Sequence, residues 1–158
     1  MTAAPAAGYV PLNERPHGGH AKPLGLVGEG KRVLDVGCSS GYLAGLLAQR
    51  GCTVVGIEED LAAAEQAAGG PVGDAEKMEL PFEPASFHVL LCGDLVERLR
   101  DPERFLTRIR PYLRPHGRLV LTTPDVANWA NRPGLHAGRG RLRPSLFAYQ
   151  FVVSAAPA

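Results

Sequence analysis

The sequence lacks any apolar run of 18 or more residues, so no transmembrane helix is predicted. Its first residues are rich in alanine but lack the basic start and apolar stretch of a signal peptide, so secretion is not expected. Cysteine is scarce, and the three residues form no CxxC pair and no even set, which is typical of reduced thiols. We therefore expect a cytoplasmic protein without a membrane partner.

Net charge is also nearly absent, since 17 basic and 16 acidic side chains leave +1 over 158 residues. This excludes a chain that is basic throughout, the simplest pattern of a nucleic-acid-binding protein, so no nucleic-acid partner is expected. The length suits one domain. Because the start of the chain is rich in Ala, Gly and Pro, we expect a flexible arm over residues 1–19 and a single domain over residues 20–158.

Short apolar runs alternate with segments of helical periodicity through most of the chain. Strands are predicted at residues 32–37, 53–57, 71–73, 87–92, 118–123 and 147–153, and helices at 42–50, 61–68 and 102–113. Asp60 and Asp101 stand where the N-caps of the last two helices belong. Near-continuous apolar strands joined by helices predict a doubly wound, mostly parallel α/β sheet in a three-layer α/β/α arrangement.

Ligands of such sheets bind beyond the carboxyl ends of the strands, and acidic residues follow three successive strands here. Asp35 would place a carboxylate beside a positively charged group, Glu58 can accept two hydrogen bonds from a ribose diol, and Asp74 can accept from an exocyclic amine. Taken singly, Glu58 is explained equally well as a helix cap and Asp74 as a turn residue. Their joint placement predicts a cationic nucleoside that bears an amino acid.

The loop at residues 37–41 contains glycine but matches neither common nucleotide motif. The three glycine positions of GxGxxG hold Gly37, Ser39 and Tyr42, so two of them fail, and no GxxxxGK[ST] run is present. NAD, FAD and P-loop binding are therefore not predicted. Gly37 and Gly41 still permit a tight turn and a close backbone approach to a ligand.

We find a resemblance to class I S-adenosylmethionine-dependent methyltransferases in residues 32–60, RVLDVGCSSGYLAGLLAQRGCTVVGIEED, and in residues 73–129, which begin GDAEKMELPF. The resemblance covers about residues 20–129. It is nearest to small-molecule and sugar-type enzymes and to methionine-biosynthesis-type methyltransferase-like proteins. It implies a Rossmann-like sheet with an antiparallel C-terminal strand, and S-adenosyl-L-methionine as cofactor. In the family's strand numbering the order is 3-2-1-4-5-7, because the sixth strand is missing here and the last of the six predicted strands corresponds to the seventh. No metal site is predicted.

Carried over by position, the resemblance implies a cofactor site built at these strand ends. Its members are Asp35, Gly37, Cys38, Ser39 and Gly41 around the methionine portion, Glu58 on the ribose, Glu59 beside the adenine, Asp74 and Ala75 at the adenine edge, and Asp94 and Leu95 on the methionine side. The candidate catalytic residues are Asp94, Glu97 and His20, with Asp125 as a further candidate base.

Four departures from the family pattern bear on function. Ser39 replaces a usual glycine, Arg98 a usual histidine and His88 a usual aspartate, and His88 is interpreted as structural. Residues 124–146 form a shortened acceptor-side loop without the usual sixth strand and its helix. The last predicted strand then lies at a sheet edge, where a second copy of the chain would pair with it as a homodimer.

The resemblance implies methyl transfer to a small-molecule acceptor, at an oxygen of a sugar or natural-product-like compound. The departures leave an alternative open, a cofactor-binding or methyltransferase-like protein without transferase activity. A nucleic-acid methyltransferase is disfavoured because no Asn/Asp-Pro-Pro-Tyr-type motif follows the fourth predicted strand.

Overall fold

A computed structural model describes residues 21–65, 70–124 and 150–155. Its centre is a five-stranded sheet in the order β2-β1-β3-β4-β5. The first four strands are mutually parallel, and β5 runs antiparallel to β4. The strands are β1 Arg32–Val36, β2 Thr53–Ile57, β3 Phe87–Gly93, β4 Leu113–Pro124 and β5 Gln150–Ala155.

Helices cover both faces of the sheet. They are α1 Ala21–Val27, α2 Tyr42–Gln49, α3 Leu61–Ala64 and α4 Pro102–Ile109, with single 3-10 turns at Val96–Arg98 and Arg110–Tyr112. Alternate strand residues enter two separate cores. One holds Leu34 and Val36 with Phe105 and Ile109 of α4, and the other holds Val33 and Val89 with Leu24 and Val27 of α1 and Leu47 of α2. The predicted three-layer, mostly parallel fold is thus confirmed.

The predicted strand order is confirmed with one correction. The weak strand at residues 71–73 is a single parallel bridge between Glu58 and Val72. Its neighbour Gly73 still donates its N–H to the Glu58 carbonyl at 2.9 Å, which ties this segment to the end of β2. A bridge replaces a strand because the run is only three residues long and is flanked by glycines.

Several boundaries differ from the prediction. The helix predicted to reach residue 113 ends at Ile109, because Pro111 lacks an N–H and the chain passes into the 3-10 turn. Strand β4 begins at Leu113 instead of residue 118, and its register with β3 shifts between Phe87 and Val89. The predicted N-caps are confirmed: Asp60 accepts from two N–H groups of α3, and Asp101 accepts from Arg104 N at 2.9 Å.

Four predicted segments lie outside the described residues: the arm at residues 1–19, most of the loop at 124–146, residues 66–68 of the second predicted helix and residues 147–149 of the last predicted strand. Helix α1 begins at Ala21, in a part of the chain where no helix was predicted. Within the described ranges, no helix is both long enough and apolar enough to pass through a bilayer. Those same ranges contain no group of three or more His, Cys, Asp or Glu side chains that could hold a metal ion.

Candidate active site

The loop that joins β1 to α2 is shaped by positive φ angles. Gly37 and Gly41 have φ of 76° and 74°, and Ser39 between them has φ of 49°. A Cβ on Gly37 would lie 3.2 Å from Leu95 Cδ1, so glycine lets the loop pass beneath the segment after β3. The N–H groups of Gly37 and Cys38 both donate to the Ile57 carbonyl, at 2.8 and 3.1 Å. The loop is therefore fastened to the carboxyl end of β2.

Glu58 directly follows β2 and is held on both carboxylate oxygens. Its Oε2 accepts from Ser39 N at 2.7 Å, and its Oε1 accepts from Glu59 N at 3.0 Å and Asp60 N at 3.1 Å. Three backbone donors fix the carboxylate in one orientation and connect it to the loop after β1. A carboxylate has about four lone-pair sites, so capacity remains for a ligand hydroxyl.

Asp35 lies on β1, where it pairs with Gly56 on one side and Leu91 on the other. Its side chain is only 2% exposed, and its Oδ2 has no hydrogen-bond partner. Burial, helped by the negative charge of Glu58, raises the pKa of Asp35 from 3.8 to about 7. This unpartnered oxygen, which lines the cleft at a strand end, is an acceptor available to a ligand donor.

Asp74 follows the bridge at Val72 and starts a compact turn. Its Oδ1 accepts from Glu76 N at 2.8 Å, and its Oδ2 forms an ion pair with Lys77. The hydrogen bond from Lys77, with that from the Glu76 backbone, lowers the pKa of Asp74, so this carboxylate is ionised. Lys77 is 68% exposed, so solvent screens its ion pair with Asp74 and the pair contributes little stability.

Asp94 follows β3 with φ of 50° and is fixed by Thr122 of β4. Its N–H donates to the Thr122 carbonyl at 3.0 Å, and Thr122 Oγ1 donates to Asp94 Oδ1 at 2.8 Å. Thr122 is buried, and no sequence motif identified it as a site residue. The β3–β4 register, which pairs Gly93 with Thr122, was the information needed to find it.

Cys38 and Cys92 are buried free thiols, which agrees with the reduced thiols that the sequence predicts. Burial, followed by the nearby charges of Asp35 and Glu58, raises the pKa of Cys38 to about 12. Burial likewise raises the pKa of Cys92. Neither thiol is ionised near neutral pH, so neither has the thiolate that redox chemistry or nucleophilic attack needs.

These strand ends enclose one cleft of about 980 Å³, a size typical of small-molecule sites. Ten of the eleven predicted cofactor residues line it: Asp35, Gly37, Cys38, Ser39, Glu58, Glu59, Asp74, Ala75, Asp94 and Leu95. Gly41 does not line the cleft and instead precedes α2 as its N-cap. Of the catalytic candidates, Asp94 lines the cleft, Glu97 lies in the adjacent 3-10 turn outside the lining, and His20 and Asp125 fall outside the described residues.

The cleft is acidic. Among its described lining residues, seven carboxylates (Asp35, Glu58, Glu59, Asp60, Asp74, Glu76 and Asp94) face three cations (Lys77, Arg98 and Arg100). Such a balance favours a positively charged ligand over a phosphate-rich one. The wall formed by residues 98–100 was not predicted, because Arg98 was interpreted only as a replacement for histidine.

A family model described as a methyltransferase domain matches residues 20–149, and the chain belongs to this family. A similar curated protein is the ubiquinone biosynthesis O-methyltransferase of Idiomarina loihiensis, 32% identical over 63% of this chain and 46% of that protein. The corresponding enzyme of Pseudomonas aeruginosa is 36% identical over 60% of this chain and 44% of its own length. The chain thus spans less than half the length of these curated relatives.

Solved structures agree with this family. An S-adenosylmethionine-dependent methyltransferase from Mesorhizobium loti superposes with a TM-score of 0.56 at 25% identity, over 66% of this chain and 51% of that one. The [4+2]-cyclase SpnF gives the same TM-score and identity, over 66% of this chain and 42% of that one. Family and fold together imply S-adenosyl-L-methionine as cofactor, which confirms the prediction. The sugar-type and methionine-biosynthesis resemblances stay predictions.

Proposed function

We propose that this protein is an S-adenosylmethionine-dependent methyltransferase that acts on an oxygen of a small molecule. The main support for the proposal is that Asp35 and Glu58 lie in the same acidic cleft. One of these carboxyls is buried with an unpartnered oxygen, and the other is fixed by three backbone donors. Membership of the methyltransferase domain family supports the same proposal.

The residues present fit S-adenosyl-L-methionine. The unpartnered Asp35 oxygen and the cleft's excess of carboxylates suit a ligand with positive sulfonium and ammonium groups. Gly37 leaves the space that a Cβ would narrow. We assign Asp35 and Gly37 to the methionine portion, Glu58 to the ribose hydroxyls, and Asp74 with Ala75 to the adenine edge.

When bound, the cofactor supplies a methyl group already activated by its sulfonium sulfur. The protein's part is to hold donor and acceptor in line and to exclude water. Where an oxygen acceptor carries a proton, Asp94 is the described candidate to receive it, because it lines the cleft and Thr122 orients its Oδ1. Glu97 and His20 stay predictions for this role.

The chemistry of methyl transfer and the names of the relatives both limit the classes of acceptor to be tested. Two similar proteins are O-methyltransferases of ubiquinone biosynthesis, which favours an oxygen acceptor and adds phenolic rings to the predicted sugars and natural products. A panel of polyhydroxylated aromatic rings and free sugars, assayed for S-adenosylhomocysteine release, separates these classes. Methylation only at ring carbons of these compounds, located by NMR of the product, would contradict the oxygen assignment.

The cofactor site is tested by calorimetric titration with S-adenosylmethionine and S-adenosylhomocysteine. We expect Glu58→Ala to weaken binding by about 1–3 kcal/mol, the scale for leaving buried polar groups unpaired. Glu65→Ala is the matched control, since Glu65 is exposed, caps the end of α3 and lies outside the cleft lining. Absence of binding to the folded wild type would refute the proposal.

A second candidate function is cofactor binding without methyl transfer. The likeness to a [4+2]-cyclase favours it, because that protein's name describes a reaction other than methyl transfer. Arg98 supports it as well, since a guanidinium in the cleft wall cannot act as a base. Tight cofactor binding without turnover on any acceptor of the panel would favour this candidate over the first.

Homodimerisation through the C-terminal strand is a separate proposal. Strand β5 stands at the end of the strand order, next to β4. A strand at that position offers backbone donors and acceptors to a second copy of the chain. Light scattering that shows only monomer at high concentration would refute it.

A further inference from the structure

Arg108 of α4 binds the loop at residues 74–78, although it lies outside the cleft lining. Its guanidinium donates from Nη2 to the Ala75 carbonyl at 3.0 Å and also to the Met78 carbonyl, and from Nη1 to the Glu76 carbonyl. The side chain is half-buried. One cation thus satisfies three carbonyls of a segment that belongs to no helix or strand.

The loop binds back to the start of the same helix. The Glu76 carboxylate accepts from Arg100 N at 3.1 Å and from Asp101 N at 3.2 Å. Asp101 is the N-cap of α4, so Glu76 holds the residues that lead into the helix. We call the Arg108 and Glu76 contacts together the α4 clamp.

The α4 clamp joins two walls of the cleft. Residues Gly73 to Lys77 form one wall, and residues Arg98 to Arg100 form the other. Inside the loop, Lys77 N and Met78 N both donate to the Asp74 carbonyl, at 3.0 and 2.9 Å, which gives a compact turn. Such a turn fixes its own shape, and the bond from Gly73 N to the Glu58 carbonyl holds its start, while the contacts from α4 hold residues 75–78 against the opposite wall.

We infer that Arg108 is a positioning residue that sets the protein's preference for the adenine base by holding the 74–78 loop. The inference rests on the proposed function, in which Asp74 and Ala75 face the adenine edge. A carboxylate that accepts from the exocyclic amine of adenine discriminates against a base with an oxygen there, provided its position is fixed. Without Arg108 the loop loses three charge-assisted bonds, and Asp74 is no longer held at one distance from the base.

The guanidinium shape is essential to this role. Its donors form a rigid planar fork, whereas a lysine ammonium is a compact charge on a flexible stem. Arg108→Lys is therefore expected to keep part of the loop's order, and Arg108→Met is expected to keep the packing of the stem but none of the bonds. This gradation distinguishes positioning from a general requirement for positive charge.

The test compares calorimetric Kd values for S-adenosylhomocysteine and S-inosylhomocysteine, which carries an oxygen in place of the exocyclic amine. We expect the wild type to prefer the adenosyl compound by about tenfold or more, the scale of one well-placed hydrogen bond. In Arg108→Met the ratio should fall to about threefold or less, and in Arg108→Lys it should be intermediate. The matched control is Arg104→Met, from an exposed position on the same helix, which should keep the wild-type ratio.

A role limited to stability would lower the folded fraction without changing the ratio of the two Kd values. A folded Arg108→Met or Arg108→Lys variant with the wild-type ratio therefore overturns the inference while leaving the proposed function intact. Lack of preference in the wild type overturns it equally. If the wild type binds neither compound, the proposed function itself fails. Glu76→Ala, which removes the acceptor oxygens that hold Arg100 N and Asp101 N, gives a second route to the same loss of preference if the Arg108 variants do not fold.

Discussion

The Asp35→Asn substitution removes a buried charge from the centre of the sheet. In the folded protein the pKa of Asp35 is raised from 3.8 to about 7, mainly by burial. This rise of about three units corresponds to roughly 4 kcal/mol, at about 1.36 kcal/mol per unit. An asparagine amide at the same place stays partly unpaired, which costs about 1–3 kcal/mol. We therefore expect Asp35→Asn to raise the free energy of unfolding by about 1–3 kcal/mol above pH 7.

The sign of the pH dependence follows from the same shift. The unfolded chain releases the Asp35 proton near pH 4 and the folded chain near pH 7, so between these values the folded state binds more protons. Stability from this group is therefore complete below pH 4 and falls as the pH rises through 7. Urea unfolding at several pH values should show the advantage of Asp35→Asn growing from pH 4 to 7 and then levelling off.

Ligand binding should respond in the opposite direction. A positively charged ligand favours the ionised carboxyl, so affinity of the wild type for S-adenosylmethionine should rise with pH through 7, whereas Asp35→Asn should bind weakly at every pH. The reasoning is refuted if the wild type and the variant have parallel stability profiles between pH 4 and 7. It is refuted equally if the variant binds the cofactor as tightly as the wild type.

Two further substitutions test the local geometry. Ser39→Gly should raise the free energy of unfolding by about 0.5–1 kcal/mol, because glycine adopts the φ of 49° without strain, and unchanged denaturant midpoints would contradict this. His88→Asp should stabilise the fold by about 1 kcal/mol at pH 7. The His88 ring nitrogens face two donors, Arg32 N at 3.0 Å and Arg114 Nη1 at 2.7 Å. A neutral imidazole can accept on only one nitrogen, whereas a carboxylate can accept on both oxygens. Burial, with the charges of Arg114 and its basic neighbours, lowers the pKa of His88, so the wild type should lose stability as the pH falls below 6.5. A His88→Asp variant that is less stable than the wild type at pH 7 would contradict this account.

The strand order and most of the cleft lining could be predicted because both follow from local patterns. Apolar runs of strand length fix β1, β2 and β3, and parallel strands place their carboxyl ends at one edge. Asp35, Glu58 and Asp94 then meet without any knowledge of side-chain contacts. Gly41 lies outside the cleft lining, because a motif position shows where the loop ends and does not show which of its residues face a ligand, and its cofactor role stays a prediction.

The unpredicted features depend on contacts between residues distant in sequence. Helix α1 contains Pro23 and Gly25, both poor helix formers, and it is held by Arg118 and Arg50, whose guanidiniums donate to the carbonyls of Leu26 and Leu24. Arg50 is 26 residues from Leu24 and Arg118 is 92 residues from Leu26, so no periodic pattern in the sequence indicates these contacts. The α4 clamp is hidden for the same reason, since Arg108 and the carbonyls it meets are 30 to 33 residues apart.

Because β4 and β5 are paired, the segment between them, on the predicted acceptor side, can change in evolution while the cofactor site stays the same. The chain leaves β4 at Pro124 and enters β5 at Gln150, and these two residues are paired across the strands. Both residues lie at the end of the sheet that faces the cleft, and their backbones are about 5 Å apart. Insertions or grafts between them join two points that the sheet already holds together, so they leave the pairing of every strand unchanged. A library confined to this interval would vary the predicted acceptor side while the carboxylates at the other strand ends keep their positions.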